Sequence, residues 1–209
     1  TSKKMYLQNT FALEVKSATA SPSYASLDKK IAKIDKKGVV TGKKQGTTYV
    51  TATVGKTVLK CKIEVDNPVL SSAKVSLVKD KTATLKVTGG NGTISWKSAD
   101  TSIAAVNAQG VVTAKKFGTT TITAVRNGVS LKCEVSVFDP KLSATKLSMK
   151  VGETKELTVS QSTGATPVWA SSAKTIAKVS AGKVTAVKAG TANITCKVNG
   201  VTLRSEEHT

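Results

Sequence analysis

The chain has 209 residues, of which 39% are hydrophobic and only 4% aromatic, so it can form packed cores, but thin ones of Val, Ile, Leu and Ala. No stretch approaches the roughly 20 apolar residues of a membrane-spanning helix, so we expect no membrane insertion by this segment. The net charge of +19 comes almost entirely from Lys, and because Arg126 and Arg204 are the only Arg residues, we expect no specific nucleic-acid binding.

Three similar segments follow one another along the chain with a period of 72 residues. Residues 31–41 recur as residues 103–113 and, one residue shorter, as residues 176–185, each with Ile-Ala, a turn containing Gly, and Val-Thr. This period is too long for a solenoid repeat and suits a small autonomous β domain.

Two proline-containing segments mark the joints between the repeats: Asp66-Asn67-Pro68 and Asp139-Pro140. Proline cannot donate to a strand ladder and has a fixed φ, so it ends a strand and stiffens the connection. We therefore predict three domains, at residues 1–66, 67–139 and 140–209, connected by short, stiff joints.

Short β-strands with turns every 8 to 12 residues are predicted throughout each repeat, which is typical of a sandwich. In the second repeat, two short strands are predicted at residues 103–106 and 111–113, followed by two longer ones at residues 119–125 and 129–137. Asn127-Gly128 lies between the longer strands and is a strong signal for a two-residue hairpin turn.

This turn fixes the register of the hairpin, with Ala124 opposite Leu131 and Ile122 opposite Cys133. All four side chains should then face one side of the sheet. By the same register, the inward-facing residues of the other two repeats are predicted to be Val50, Ala52, Leu59, Cys61, Ile194, Cys196 and Leu203.

The last residues of the chain do not follow the repeat. Residues 204–209 break the pattern of the third repeat in mid-strand and resemble the translation of a sequencing adapter. We therefore expect them to be non-native, and the third domain to be truncated before its final strand. They include His208, the only histidine. Because the first residue is Thr1 and not Met, we expect an interior piece of a longer protein.

Read together, these motifs resemble the bacterial immunoglobulin-like domain, group 2. The resemblance rests on Ile-Ala, the Gly turn, Val-Thr, Gly-Thr and a Cys near the end of the repeat, and on an upstream Trp-x-Ser at Trp96 and Trp169. Tyr24 takes the place of Trp in the first repeat. The resemblance implies an all-β fold of three tandem immunoglobulin-like sandwiches. It also implies a non-catalytic extracellular module, as in adhesin stalks and Gram-positive surface proteins.

The three cysteines offer the most obvious candidate chemistry. Cys61, Cys133 and Cys196 lie one in each repeat and face inward by the predicted register, so an intradomain disulfide is impossible. No cluster of further Cys or His ligands accompanies them, so we expect small buried thiols and no metal site.

Other candidate site residues also have a structural interpretation that we favour. Asp66 and Asp139 give each joint one carboxylate, which fits a turn better than a calcium site needing about 6 to 8 oxygens. Trp96 and Trp169 are expected to pack in the core and not to stack on a sugar. Gly46, Gly118 and Gly190 are expected to supply a positive φ or a tight bend where a strand begins.

Without His208 the chain has no imidazole for a Ser-His or Cys-His dyad, so we predict no catalytic, cofactor or metal residues and no enzyme activity. The expected role is a structural spacer on the cell surface or in the cell wall, which projects or links other domains. Two alternatives stay open: an adhesion module that holds anionic wall polymers, host glycans or proteins through diffuse Lys charge, and an accessory domain of a wall-active enzyme.

Overall fold

The computed structural model describes residues 1–16, 18, 20–90, 92–162 and 164–208. These residues form β-strands and the turns between them. Within them there is no helix long and apolar enough to cross a membrane. Each sheet in this part of the chain takes its strands from one of the three repeats.

The first repeat forms a four-stranded sheet in the order β1-β7-β6-β3 and a three-stranded sheet in the order β2-β5-β4. The first strand pairs in parallel with the last, and the other neighbours pair antiparallel. The strands are β1 (Ser2–Tyr6), β2 (Thr10–Ala12), β3 (Ser23–Ser26), β4 (Ala32–Ile34), β5 (Val39–Gly42), β6 (Gly46–Val54) and β7 (Thr57–Asp66).

The second repeat has the same two sheets, in the orders β12-β15-β16-β9 and β10-β14-β13, and adds a two-stranded ladder of β8 and β11. The strands are β8 (Val69–Leu70), β9 (Lys74–Val78), β10 (Thr82–Thr84), β11 (Val87–Thr88), β12 (Ser95–Ser98), β13 (Ala104–Val106), β14 (Val111–Ala114), β15 (Gly118–Arg126) and β16 (Val129–Phe138).

The third repeat follows the second, with sheets in the orders β18-β25-β24-β21 and β19-β23-β22 and a ladder of β17 and β20. The strands are β17 (Lys141–Leu142), β18 (Lys146–Ser148), β19 (Thr154–Glu156), β20 (Val159–Ser160), β21 (Val168–Ser171), β22 (Ala177–Ser180), β23 (Lys183–Ala186), β24 (Thr191–Val198) and β25 (Val201–His208). The predicted all-β fold of immunoglobulin-like sandwiches is confirmed.

Each repeat encloses its own hydrophobic core between its two main sheets. The cores consist of small aliphatic residues with a Met or Leu, as the composition predicted, and the core of the second repeat is formed by Leu85, Ala104, Val112, Ala114, Ile122, Cys133, Val135 and Val137. The other two repeats have equivalent clusters around Val50 and Ile194. Three separate cores allow each unit to fold around its own buried surface.

The predicted hairpin and its register are confirmed. Asn127 and Gly128 have φ values of 53° and 74°, as a two-residue turn requires, and β15 pairs with β16 so that Ala124 faces Leu131 and Ile122 faces Cys133. The prediction that Leu59 lies inside is wrong, because its side chain is 46% exposed. Leu59 lies two residues from the turn, at the open end of the ladder, where it lines a shallow cavity with Leu13.

A repeated contact explains why the aromatic residue is followed two positions later by Ser. The Ser98 hydroxyl donates to Ala104 O at 2.7 Å, and Ser26 and Ser171 make the same bond to Ala32 and Ala177. Each of these bonds joins a strand of the four-stranded sheet to a strand of the three-stranded sheet. The Ser therefore fixes the edge at which the two sheets of the sandwich meet.

The prediction that the third repeat ends before its final strand is wrong. The β25 strand runs to His208 and pairs with both β24 and β18. Ser205 and Glu207 take the places of Cys133 and Val135 and are fully buried. The backbone ladder continues because its hydrogen bonds do not depend on side chains, although the apolar pattern stops.

Candidate functional site

Two side-chain hydrogen bonds connect the first and second repeats at the joint between them, here called the first joint. Asn127, at the tip of the β15–β16 hairpin, reaches across to the loop that follows β1. Its Nδ2 donates to Leu7 O at 2.8 Å and to Asn9 Oδ1. One side chain of the second repeat thus satisfies two acceptors of the first repeat.

An aromatic ring packs beside this hydrogen bond. A Cβ on Gly89, where φ is +84°, would lie 2.5 Å from Cε1 of Tyr6. Only glycine leaves room for the ring at this point. Pro68 is buried in the same joint. The first joint therefore combines a fixed linker, a ring packed on backbone and a two-acceptor hydrogen bond.

The hairpin that carries Asn127 is itself held by its neighbour in the sequence. Arg126 Nε donates to Gly92 O at 3.0 Å, and Nη1 donates to Val87 O at 3.3 Å. These bonds tie the hairpin to β11 and to the loop that follows it. Arg126 therefore positions the side chain that crosses the joint.

The joint between the second and third repeats, here called the second joint, uses different contacts. The Asp139 N–H donates to Gln161 O at 3.2 Å, and Pro140 is buried. The Asp139 carboxylate lies 3.4 Å from Lys141 Nζ and 3.8 Å from Lys79 Nζ. Because Lys79 and Asp139 both belong to the second repeat, the contacts across the second joint are the backbone bond and the Asp139–Lys141 ion pair.

The equivalent side chains at the second joint show why it differs. Val78 stands where the first joint has Tyr6, and Gln161, with a φ of 56°, stands where it has Gly89. Asn199 occupies the position of Asn127, but its Oδ1 is buried without a hydrogen-bond partner. At the first joint the larger residue, Tyr6, belongs to the earlier repeat and the smaller, Gly89, to the later one. At the second joint the smaller residue, Val78, belongs to the earlier repeat and the larger, Gln161, to the later one.

The cysteines lie where the sequence placed them. Cys61, Cys133 and Cys196 are free and buried. Burial raises the pKa of the Cys133 and Cys196 thiols, which keeps them protonated and slow to react. They contribute to the packing of their cores.

The two joint carboxylates are both paired with lysines. The hydrogen bond from Lys4, whose Nζ lies 2.7 Å from Asp66 Oδ2, lowers the pKa of that carboxyl. Asp139 faces Lys79 and Lys141. Within the described ranges, no group of three or more His, Cys, Asp and Glu side chains could hold a metal ion.

The remaining candidates are also found in structural roles. Trp96 and Trp169 are half-buried and pack against the cores of their repeats, as predicted. Gly46, Gly118 and Gly190 have the predicted positive φ, and in each case a Cβ would meet an Ile of the same repeat at about 3 Å. His208 lies on β25, with Nε2 3.7 Å from Glu206 Oε1.

The sequence reasoning missed Asn127, Tyr6 and Gly89 as joint residues. Asn127 was recognised only as part of a turn, and the first repeat carries Gly55-Lys56 at the same position. That difference between repeats was the available signal. A side chain needed only for the turn could be replaced by Gly, whereas one that crosses the joint could not.

Three family models match successive parts of the chain, and each describes an immunoglobulin-like domain. The models are a bacterial Ig-like domain at residues 20–67, the intimin immunoglobulin-like domain at residues 78–127 and the bacterial Ig-like domain, group 2, at residues 139–205. The chain is a tandem array of bacterial immunoglobulin-like domains. The group 2 model itself matches the third domain. No curated protein matches this array significantly.

Solved structures of several multidomain proteins also match the array. The I9–I11 tandem of titin is 14% identical, with 99% of this chain and 95% of that chain covered and a TM-score of 0.41. Domains 4–9 of the surface layer protein SbsC are 19% identical, with 95% and 41% covered and a TM-score of 0.31. A mutant intimin of EHEC O157:H7 is 25% identical, with 37% and 51% covered and a TM-score of 0.33.

Proposed function

We propose that this chain is a non-catalytic structural module of a bacterial surface protein that holds other domains of that protein away from the cell surface. The matching family models describe bacterial and intimin immunoglobulin-like domains, and intimin and a surface layer protein are among the similar structures. A module of this kind acts through its shape and stiffness, so its functional residues are those that set the angle between domains.

The observation that carries the proposal is the Asn127 contact at the first joint. A linker as short as Asn67-Pro68 brings two domains together but leaves rotation about the connection. The two hydrogen bonds of Asn127, to Leu7 O and Asn9 Oδ1, lie away from the linker and therefore oppose that rotation. Each such bond contributes about 1 kcal/mol. The buried Pro68 and the packing of Tyr6 on Gly89 add to the same restraint.

Small-angle scattering of the full chain tests the proposal. Each domain should be about 30 Å across, so three domains held end to end should give a rod of about 90 Å. We expect an elongated particle at low and at high salt, because the hydrogen bonds of Asn127 at the first joint and the Asp139 N–H bond to Gln161 O at the second joint do not depend on ion pairs. A compact particle would contradict the spacer role, since folded-back domains cannot project anything.

A further inference from the structure

We propose that the third repeat carries a binding groove for an anionic glycan, lined by Trp169, Lys174, Lys178 and Lys183. The groove lies where β21 of the four-stranded sheet meets β22 and β23 of the three-stranded sheet, and its volume is about 440 Å³. This volume lies within the range of about 300 to 1,000 Å³ that is usual for small-ligand sites. The proposal concerns binding and does not depend on the spacer role.

The charge of the groove is entirely positive. Its lining holds three Lys and no Asp or Glu. All three lysines are exposed, and within the described residues none of them forms an ion pair. Glu156 stands opposite Lys183 in the strand register but does not line the groove. Three unpaired ammonium groups around one concave surface form a site for a bound anion.

The equivalent positions in the second repeat show that the fold does not require these lysines. The second repeat has Thr101, Ala105 and Val111 where the third has Lys174, Lys178 and Lys183. Ala173 also replaces an aspartate, Asp100, whose carboxylate accepts the Ser102 N–H in the second repeat. Relative to the second repeat, the third therefore has three more positive charges and one fewer negative charge around this edge of the sandwich. The first repeat has Lys29 and Lys33 at two of the same positions, but it has Val39 in place of Lys183 and keeps the aspartate, Asp28.

The other lining groups favour a sugar as the carrier of the anion. Trp169 is half-buried, with one part of its side chain against the core and another part lining the groove, so it offers an apolar surface beside the lysines. The hydroxyls of Ser180 and Thr185 can donate to or accept from sugar hydroxyls. Lysines bind carboxylate and phosphate as point charges, whereas the planar base recognition typical of nucleic-acid sites uses Arg.

Calorimetric titration of the full chain with three forms of one polymer tests the proposal. Neutral dextran, carboxymethyl dextran and dextran phosphate share a sugar backbone, so they separate recognition of the sugar from recognition of each anion. We expect at least one anionic form to bind with a change in tryptophan fluorescence, and neutral dextran to bind at least tenfold more weakly. Failure of both anionic forms to bind, or equal binding of the neutral form, would overturn the proposal.

Two triple variants distinguish the groove from diffuse attraction. Lys174→Thr, Lys178→Ala and Lys183→Val together install the residues of the second repeat, and we expect affinity to fall roughly tenfold or more. The matched control removes three exposed lysines elsewhere, by substitution to Ala at Lys36, Lys43 and Lys115, and should change affinity by less than about threefold because exposed charges at a distance are screened.

An equal loss of affinity in both triple variants would refute a defined site. Lys174→Thr alone guards against a folding effect, because this residue lies in the turn before β22 and outside the strand ladder. This single variant should weaken binding about twofold to fourfold, with the thermal unfolding of the chain unchanged. Unchanged affinity in the single and triple groove variants would likewise overturn the proposal.

Discussion

The second and third repeats have the same strand order, yet they differ at three equivalent positions. Cys133 and Val135 in the last strand of the second repeat become Ser205 and Glu207, and both replacements are fully buried. The side chain that crosses the first joint, Asn127, has a counterpart, Asn199, that makes no such contact. The same fold therefore carries a well-packed final strand in one repeat and a polar one in the next.

This comparison separates the positions that hold the sandwich together from those that contact a neighbouring domain or line the groove. Positions that are alike in all repeats, such as the Ser that joins the two sheets, are required by the sandwich itself. Positions that differ, such as Gly89 and Gln161, depend on what the domain contacts. Differences between repeats therefore locate the joints and the groove.

The largest effect is expected from Glu207, whose two carboxylate oxygens are buried without a hydrogen-bond partner. Replacement by Val, the residue of the second repeat, should stabilise the third domain by about 3 kcal/mol, since a buried carboxyl group is removed from a core. Urea unfolding followed by Trp169 fluorescence measures this change. Glu206→Val, on the opposite face of the strand, is the control and should change stability by less than about 0.5 kcal/mol. Destabilisation by Glu207→Val would show that the carboxylate has a partner.

The same residue predicts a pH dependence confined to the third domain. Burial raises the pKa of Glu207 above its value in the unfolded chain, so the folded state holds its proton more tightly. The stability that this difference in pKa contributes is therefore fully present below the pKa of Glu207 in the unfolded chain, about 4.5. It is lost as the pH rises through the pKa of Glu207 in the folded chain. We expect the third domain to melt at a higher temperature near pH 5 than near pH 7.5, relative to Glu207→Val, which removes the effect. Equal pH profiles would contradict this account.

A second, smaller effect is expected at the first joint, where Tyr6 packs on Gly89. Gly89→Gln introduces the residue of the second joint and should disrupt the contact, because a Cβ would lie 2.5 Å from the Tyr6 ring. Adding Tyr6→Val, which completes the pair found at the second joint, should restore the stability that Gly89→Gln alone removes. We expect a coupling of about 1 to 2 kcal/mol in a double-mutant cycle measured by thermal unfolding. Additive effects of the two changes would show that the ring and the glycine do not share the space.

The smallest effect is expected at the second joint, from Asp139→Asn, which installs the residue found at the first joint. The carboxylate faces the half-buried Lys79 and the exposed Lys141, and pairs near the surface contribute about 0 to 1 kcal/mol. The substitution should lower the stability of the third domain by less than about 1 kcal/mol and remove a salt dependence of its melting temperature. A larger loss would mean that Asp139 does more than pair with Lys79 and Lys141.

Much of the fold could be predicted from the sequence because β-strand registers repeat. Asn127-Gly128 fixed the hairpin, and the pairs Ala124–Leu131 and Ile122–Cys133 followed from counting outward. Leu59 shows where this reasoning fails, since the alternation gives the face of the sheet but not how far the opposing sheet extends. The final strand was missed because its apolar pattern ends at Ser205 while its backbone pairing continues.

The joints and the groove could not be predicted from one repeat alone. The partners of Asn127 lie 118 and 120 residues away in the chain, so no local pattern connects them. Lys174, Lys178 and Lys183 counted in the sequence only as part of a diffuse positive charge. They converge because a turn and two strands bring them to the same edge of the sandwich.

The most direct test of the spacer role is the distance distribution between spin labels in the first and second domains, placed at Lys36 and Lys115. We predict a single narrow distribution for the native sequence and for Asn199→Asp. Asn127→Asp should broaden it, because this change tolerates the positive φ of the turn but removes the donor to Leu7 O and Asn9 Oδ1. A broad distribution in the native chain, or no effect of Asn127→Asp, would contradict a joint that holds the domains in line.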